Sequence, residues 1–514
     1  MFLRLDQAKR VVVIGGGTAG WLSALEMRRM FAPNVEIVVI ESEAMGIIGA
    51  GEGSIPNLNK ALARYDIPID EFMQETEATY KVGLSMEGWR TGEKDDHLYH
   101  LFSIQSGGVH LHEWVSNGYY PLMSVLMNQG MPIYECTDVY KLIKNKSSQA
   151  EVKQFLADCE ARNKQDPIAY HFNAHKLAAY FKKIAISRGI IHKNAIVDDV
   201  IMASEQQVKA VKTRDGEVIE LDFVIDSSGL SRLIIEKKMH SPWKSFSDGL
   251  LLDRAMPFLM PQKTEHPELV TRAVAMKSGW MWCIPAGGRI GAGYVYSSKH
   301  ITKEEALKEL EEYWGEKVEP INHLEFTPGH YEKVWIGNMM AVGLSSGFVE
   351  PLEATSIGQT ITQLEYFSDT MTDCQGIVPS HIIEYFNSEM MRFWDGIADF
   401  LMMHYDVPRQ DTPFWRDARS ANFSDRYQGI RGALKLRSFR NDDLAPYRAN
   451  SGLMWSLSSW NSIGIGLGVI PREATSAELV RLNKEGQHRV GEFLYNTRER
   501  LGLPHPKIEQ KKPS

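Results

Sequence analysis

Val11-Val12-Val13-Ile14-Gly15-Gly16-Gly17-Thr18-Ala19-Gly20 is the stretch that decides the fold. Four β-branched residues in a row have the composition of a strand buried on both faces, as in a parallel sheet. The glycines that follow make G-x-G-x-x-G. The first permits a tight turn, the second lets backbone approach a pyrophosphate, and the third lets the next helix pack closely. A helical pattern, Trp21 to Phe31, begins at once, so its N-terminal amides face the phosphates. Ala32-Pro33-Asn34 ends that helix, and a second apolar strand, Val35 to Ile40, runs into Glu41. Glu41 stands 21 residues after Gly20, the spacing of a ribose-binding carboxylate. This βαβ opening predicts an α/β fold with a dinucleotide site at Gly15, Gly17, Thr18, Ala19, Gly20 and Glu41. The fingerprint alone does not choose between FAD and NAD.

Working outward, Gly46 to Pro56 is too flexible for an element interior and too apolar for a solvated linker, so it should lie against a ligand. Residues 61–150 read as helical and rich in aromatics. Tyr170-His171-Phe172 precedes an amphipathic helix, Ala174 to Ser187. Strand signals return at Ile190 to Met202, Gln207 to Thr213 and Glu217 to Ile225, with Arg214-Asp215-Gly216 as a hairpin turn. Phe223-Val224-Ile225-Asp226-Ser227-Ser228-Gly229 is a strand ending in a small-residue turn, where an α/β sheet presents backbone to a ligand. A second β region spans Gly279 to Ser297. Met339 to Gly343 is a further buried strand, whose turn feeds the helix Thr355 to Met371. Residues 372–514 are mostly helical, with a Trp-bearing loop region at Pro446 to Pro471. The expected organisation is a nucleotide module with a β region (1–60 and 151–371) interleaved with a mainly helical substrate module (61–150 and 372–514).

The bulk numbers exclude several classes. At 514 residues with 43% hydrophobic and 24% charged, the chain is long enough for a large enzyme core and too apolar for disorder. Lys plus Arg number 57 against 65 Asp plus Glu, without long blocks of either sign, which argues against nucleic acid and anionic membranes as partners. The apolar run Val11 to Ile14 is too short for a signal segment or a membrane span, so a cytoplasmic location is expected. Cys136, Cys159, Cys283 and Cys374 are scattered, with no Cys-x-x-Cys, which argues against a metal site or a disulfide framework.

Gly279-Trp280-Met281-Trp282-Cys283-Ile284-Pro285 contains W-x-W-x-I-P. By itself it is a strand whose two indoles share one face. Combined with the glycine fingerprint, it resembles the flavin-dependent halogenases. Ile48 to Pro56 is similar to that family's I-G-x-G-E-x-T-I-P strap over the flavin, with Ser54 in place of Thr. Ser346-Gly347-Phe348-Val349-Glu350-Pro351-Leu352-Glu353-Ala354-Thr355 is similar to its S-G-F-V-E-P-L-E-S-T stretch. Tyr80-Lys81-Val82-Gly83-Leu84 matches F-K-x-x-I. These stretches occur in family order.

The resemblance implies a hydroxylase-like FAD-binding dinucleotide fold and FAD, used as FADH2. Gly49, Ala50, Asp226, Gly343 and Leu352 would join the residues of the glycine fingerprint in holding it. Dioxygen would be the cosubstrate, and chloride, bromide or iodide would bind at Thr355 and Ser356, where a helix N-terminus offers amides and a positive dipole end. The family commonly has Gly at the position of Ser356 and Ser at that of Ala354, so this halide site departs from the pattern. Hypohalous acid made beside the flavin would travel to Lys81, the family's essential lysine, with Glu353 as the active-site carboxylate. Trp280 and Trp282 would keep organic substrates from the flavin, with Phe348 and Ile357 lining the passage. His100, Phe102 and Trp455 would stack the aromatic substrate. An NAD(P)H-dependent flavin reductase is the implied partner, and homo-oligomerisation is compatible with the family.

Members that act on free tryptophan hold its amino acid group with a Tyr-Tyr pair and a Glu. Tyr447 to Leu457 has neither. The expected substrate is therefore an indole- or phenol-like aromatic. Two rivals remain at the level of sequence: a single-component FAD aromatic hydroxylase, opposed by Trp280-x-Trp282 and Lys81, and a non-catalytic flavin-binding protein, opposed by the retention of Lys81 and Glu353.

Overall fold

The computed structural model describes residues 2–42, 52–102, 105–106, 109–110, 133–161, 168–447 and 454–501. Gly49 and Ala50 lie outside the described residues. A six-stranded sheet sits at the centre, in the order Ile191–Asn194, Glu36–Glu41, Arg10–Ile14, Phe223–Asp226, Met339–Ala341 and Trp335–Ile336. Its first five strands are parallel and the last is antiparallel. Val11, Val12 and Val13 are wholly buried, as a two-sided parallel strand requires. The helices Thr18–Met30, Ala174–Ser187 and Thr355–Asp373 pack together over this sheet. The carboxyl ends of the parallel strands bring Gly15, Glu41, Ser227 and Gly343 to one edge, where open α/β sheets bind ligands.

A seven-stranded sheet stands beside it, in the order Leu324–Glu325, Arg254–Pro261, Arg289–Tyr296, Gly279–Ala286, Val270–Met276, Gly83–Glu87 and His97–Leu101. The last two strands correct the reading of 61–150 as mainly helical. Gly83–Glu87 pairs parallel with Val270–Met276 and antiparallel with His97–Leu101, and its first four residues are all buried. A short strand buried on both faces carries no alternation, so periodicity cannot separate it from a helix turn. Ala169–Phe172 is likewise a strand, lying between Glu52–Gly53 and Thr79–Lys81 in a three-stranded sheet.

Two expected single strands are each divided between sheets. Ile191–Asn194 joins the parallel sheet, whereas Val197–Ser204 pairs with Gln207–Thr213 in a separate antiparallel sheet that also holds Val218–Glu220. The chain then returns to the centre at Phe223–Asp226. Asp222 fixes this crossing, its carboxylate accepting from the backbone amides of Lys9 and Arg10. From 372 onward the described residues are mainly helices joined by loops, with one short strand, Ile377–Pro379, and the 26-residue helix Ser380–Tyr405 buries most of its second half in a core continuous with both large sheets. Among the described residues no helix is long and apolar enough to cross a membrane, and no group of His, Cys, Asp or Glu is placed to hold a metal ion.

Candidate active site

A cavity of about 870 Å³ runs from the glycine turn to Glu353. At its outer end the glycines are required by contact. A Cβ on Gly15, whose φ is +113°, would stand 2.2 Å from the Ser227 carbonyl oxygen, and one on Gly20 would stand 1.9 Å from the Gly15 carbonyl oxygen. Gly17 has open space where a side chain would go and is the N-cap of Thr18–Met30, without a side-chain cap. The helix therefore presents its N-terminal amides to the cavity. Thr18 Oγ1 is buried beside them with no hydrogen-bond partner. An open, positively polarised cradle with an unused hydroxyl fits a dinucleotide pyrophosphate.

The remaining residues expected to hold that ligand divide in two. Gly15, Gly17, Thr18, Ala19, Glu41 and Gly343 line the cavity, with Gly20 packed beneath the turn. Glu41 is held at the wall by Lys182 at 2.7 Å, and His192 Nε2 lies 2.9 Å from its carboxylate. Asp226 and Leu352 are not on the cavity wall. The Asp226 carboxylate is wholly buried and accepts from the amides of Ser228, Ile234 and Ile235 and from Ser228 Oγ, so it builds the turn. Leu352 is packed into the core.

At the inner end the chain makes an unusual turn. Glu353 (φ 62°, ψ 13°) and Ala354 (φ 54°, ψ 44°) are consecutive left-handed residues with side chains, immediately before Thr355–Asp373. Such a conformation costs roughly 1–3 kcal/mol per residue and concentrates at functional sites. It sends the Glu353 carboxylate into the interior while leaving Thr355 and Ser356 at the cavity wall, on a helix start without a side-chain cap. Both Glu353 oxygens lie 2.9 Å from His100 Nδ1, and His404 Nε2 lies 3.4 Å from Oε1. Burial pushes this carboxyl upward, but the two imidazoles outweigh it and hold it well below the usual carboxylate range.

Lys81 is fully buried at the end of Thr79–Lys81, where Nζ donates to the Ser54 carbonyl at 3.0 Å and stands 5.5 Å from the Phe102 ring centre. Burial brings its ammonium down to about 7, against the opposing pull of Glu353. A lysine so placed holds both amine and ammonium forms near neutrality. Gly53, on the cavity wall, packs against Lys81. A Cβ there would meet Nζ at 3.1 Å, Thr271 Oγ1 at 3.2 Å and the His171 ring at 3.3 Å. Burial first, and Lys81 second, hold His171 neutral, well below its usual range. Glu52, on the cavity wall, has an unpartnered buried Oε2 and is raised by burial to about 7.

Trp280 and Trp282 both line the cavity on the face their period-two spacing predicts. Gly293 opposite makes room for Trp282, whose ring a Cβ would meet at 2.1 Å. Trp280 Nε1 donates to the buried Glu350 at 3.0 Å, and Tyr405 donates its hydroxyl to the same oxygen. Burial raises Glu350 to about 7. Glu350, His404, Tyr405 and His171 have no assigned role in the sequence reading. Glu350 lies within the stretch Ser346 to Thr355, whereas the two residues ending Ser380–Tyr405 carry no signal that separates them from core.

His100 and Phe102 are brought beside Glu353 and Lys81. Trp455 is not. It stacks on Phe400 with centroids 4.2 Å apart, and Phe400 in turn lies 6.4 Å from the His100 ring.

A family model described as tryptophan halogenase matches residues 10–481. Tryptophan 7-halogenase RebH of Lentzea aerocolonigenes is 31% identical over 506 residues, covering 92% of each chain. An uncharacterised Sinorhizobium fredii protein, y4xG, is 36% identical over 96% of each chain. The crystal structure of the thermophilic tryptophan halogenase Th-Hal, from Streptomycin violaceusniger, superposes with a TM-score of 0.80 at 27% identity, covering 96% of this chain and 99% of that one. With the matched region running from the first central strand through the helical C-terminal part, the chain belongs to the tryptophan halogenase family and is a flavin-dependent halogenase.

Proposed function

We propose that the enzyme takes FADH2 from a separate NAD(P)H-dependent flavin reductase and halogenates an electron-rich indole- or phenol-like aromatic in the cytoplasm. When bound, the reduced flavin and dioxygen supply the oxidising power that turns halide into hypohalous acid. The protein's own residues do the rest. Gly15 to Gly20 hold the pyrophosphate by backbone amides. The start of Thr355–Asp373 attracts the halide through its amides and dipole at Thr355 and Ser356. Trp280 and Trp282 wall the organic substrate away from that end. Lys81 binds or captures the oxidant behind Gly53, and Glu353 fixes the charge around it.

What supports this reading is that Glu353 lines the same cavity as the glycine cradle and that the buried Lys81 packs against Gly53 on its wall. A single-component hydroxylase needs its substrate at the flavin and has no use for a sealed lysine. The reading is tested by incubating the protein with FAD, reductase, NADH, dioxygen and each halide against a panel of indoles and phenols, with mass spectrometry of the products. Halogenated products support it, and a panel returned unchanged or only hydroxylated rejects it.

A further inference from the structure

Trp280 meets the cavity wall through a partner that its neighbours do without. The indoles around it use backbone: Trp89 Nε1 donates to the Ala273 carbonyl and Trp415 Nε1 to the Met276 carbonyl, each at 2.9 Å and both on the strand Val270–Met276. Trp280 donates instead to a buried side chain, the carboxylate of Glu350, at 3.0 Å. Placing a carboxyl in the interior is costly where a carbonyl would satisfy the same N–H. Burial raises Glu350 to about 7, and the hydrogen bonds from Tyr405 and Trp280 are what oppose that rise.

What the carboxylate adds is reach. Its Oε1 accepts from Trp280 on the strand Gly279–Ala286 and also from the hydroxyl of Tyr405, the last residue of the helix Ser380–Tyr405. The residue before it, His404, places Nε2 3.4 Å from Glu353 Oε1. Two consecutive helix residues therefore meet the carboxylates at both ends of the segment Glu350 to Glu353. Pro351, inside that segment, lines the cavity, as do Trp280 and Glu353. The wall indole and the turn that aims Glu353 inward thus share one anchor. Trp89 and Trp282 lie 6.2 and 6.4 Å from Trp280 between ring centres, and neither stacks flat upon it. An indole that borders open space lacks packing on that side, so what holds its N–H fixes its orientation.

We propose that Glu350 is a positioning residue for the Trp280 barrier, fixing the indole against the cavity by accepting from Trp280 and Tyr405 together; this rests on the reading above that Trp280 keeps the organic substrate from the flavin end. No proton or electron changes hands at Glu350. Its removal leaves two buried donors without their acceptor, and each must turn toward another acceptor or water. The indole then leaves its place in the wall, and oxidant is spent on molecules other than the one beside Lys81.

Protein grown on 5-fluorotryptophan and loaded with FAD reads the indole directly by fluorine NMR. Of the resonances from its 12 tryptophans, the one that Trp280→Phe removes belongs to Trp280. That resonance should shift or broaden in Glu350→Leu and in Tyr405→Phe, and stay close to native in Glu350→Gln, whose amide oxygen still accepts. The yield of bromoindole per dioxygen consumed is then measured with reductase, NADH, bromide and indole above pH 7, where Glu350 is a carboxylate. Glu350→Leu should lower it about tenfold or more, the scale of a lost hydrogen bond to a charged group, and Glu350→Gln should recover most of the loss. In a Trp280→Phe background, which has no N–H to hold, Glu350→Leu should change the yield by less than about twofold. A native Trp280 resonance in Glu350→Leu, or an equal further loss of yield in the Trp280→Phe background, makes Glu350 a general packing residue and overturns the proposal. If Glu350→Leu does not bind FAD, Tyr405→Phe decides, and an unmoved resonance there overturns it. A native enzyme that brominates nothing rejects the halogenation reading instead, while the resonance still decides whether Glu350 fixes Trp280.

Discussion

Lys81 Nζ donates to the carbonyl oxygen of Ser54 at 3.0 Å, tying the lysine to the segment that forms the inner wall of the cavity. Lys81 is fully buried, yet it lies against Gly53, which lines the cavity. Position, more than exposure, then decides what this amine meets.

Replacing the amine should separate oxidant formation from its use. Lys81→Ala is expected to abolish halogenated product while oxidation of reduced flavin continues. Glu353→Gln should slow product formation less completely, by about 10²–10⁴-fold, as for loss of a group in the proton-transfer machinery. Paired measurement of dioxygen uptake and halogenated product checks both. Native product yield and regioselectivity in Lys81→Ala would mean that freely diffusing oxidant suffices.

Gly53→Ala adds one methyl against Lys81 Nζ, Thr271 Oγ1 and His171, at 3.1–3.3 Å. Something must give by a few tenths of an ångström. Misplacement on the ångström scale costs on the order of 10²-fold in well-positioned reactions, so product formation should fall at least tenfold while flavin affinity stays native. An unaffected variant would show that this partition tolerates a side chain.

Burial of Lys81 also has a stability signature. Its folded value, about 7, lies below the unfolded value of about 10.4. Between these values the unfolded chain binds the extra proton, so the contribution of Lys81 to stability rises with pH across that window and is least favourable below it. Lys81→Met removes this titration. The variant should therefore be more stable than the native enzyme at pH 6, with the advantage shrinking steadily toward pH 10. Denaturant unfolding at several pH values measures the difference, and a pH-independent gap would mean that Lys81 is not desolvated. Glu353 has the opposite sign: its folded value is depressed, so its contribution is present above about 4.3 and is lost as pH falls below that toward the folded value.

Free tryptophan should be a poor substrate. Without a Tyr-Tyr pair and a Glu, its ammonium and carboxylate forgo charge-assisted contacts of about 1.5–3 kcal/mol each, whereas indole forgoes nothing. In equal-concentration competition indole should be consumed first. Bromide or iodide should serve better than chloride, because heavier halides are easier to oxidise and Ser356 adds a side chain where the family commonly has glycine. Selective chlorination of tryptophan at one position would contradict both expectations. Arg448 to Leu453, the heart of the missing anchor region, lies outside the described residues.

The parallel core was legible because its signals are local. Val11 to Gly20 fixes a strand, a turn and a helix start within ten residues, and Ala174–Ser187 and Gln207–Thr213 fall where periodicity places them. The strands at Gly83–Glu87 and His97–Leu101 were not legible, since burial on both faces of the first erases alternation and sheet partners lie far along the chain. Lys81 and Glu353 stood out only through motif context. Nothing in spacing could bring His100 to Glu353, 253 residues away. That contact, like those of His404 and Tyr405, is made by tertiary packing. Asp226 shows the same limit: a carboxylate after a central strand looks ligand-facing, and the three amides and one hydroxyl that donate to it become visible only in the fold.

The most direct single test follows bromide into product. The protein is given FAD, NADH, dioxygen, bromide and indole, with and without a flavin reductase, and products are read by mass spectrometry. The expected result is bromoindole, with its paired isotope peaks, only when the reductase is present, and no oxygenated indole in either arm. Hydroxylated indole formed without the reductase, or flavin reduced at a catalytic rate by NADH alone, would identify a single-component hydroxylase and contradict the proposed two-component halogenation.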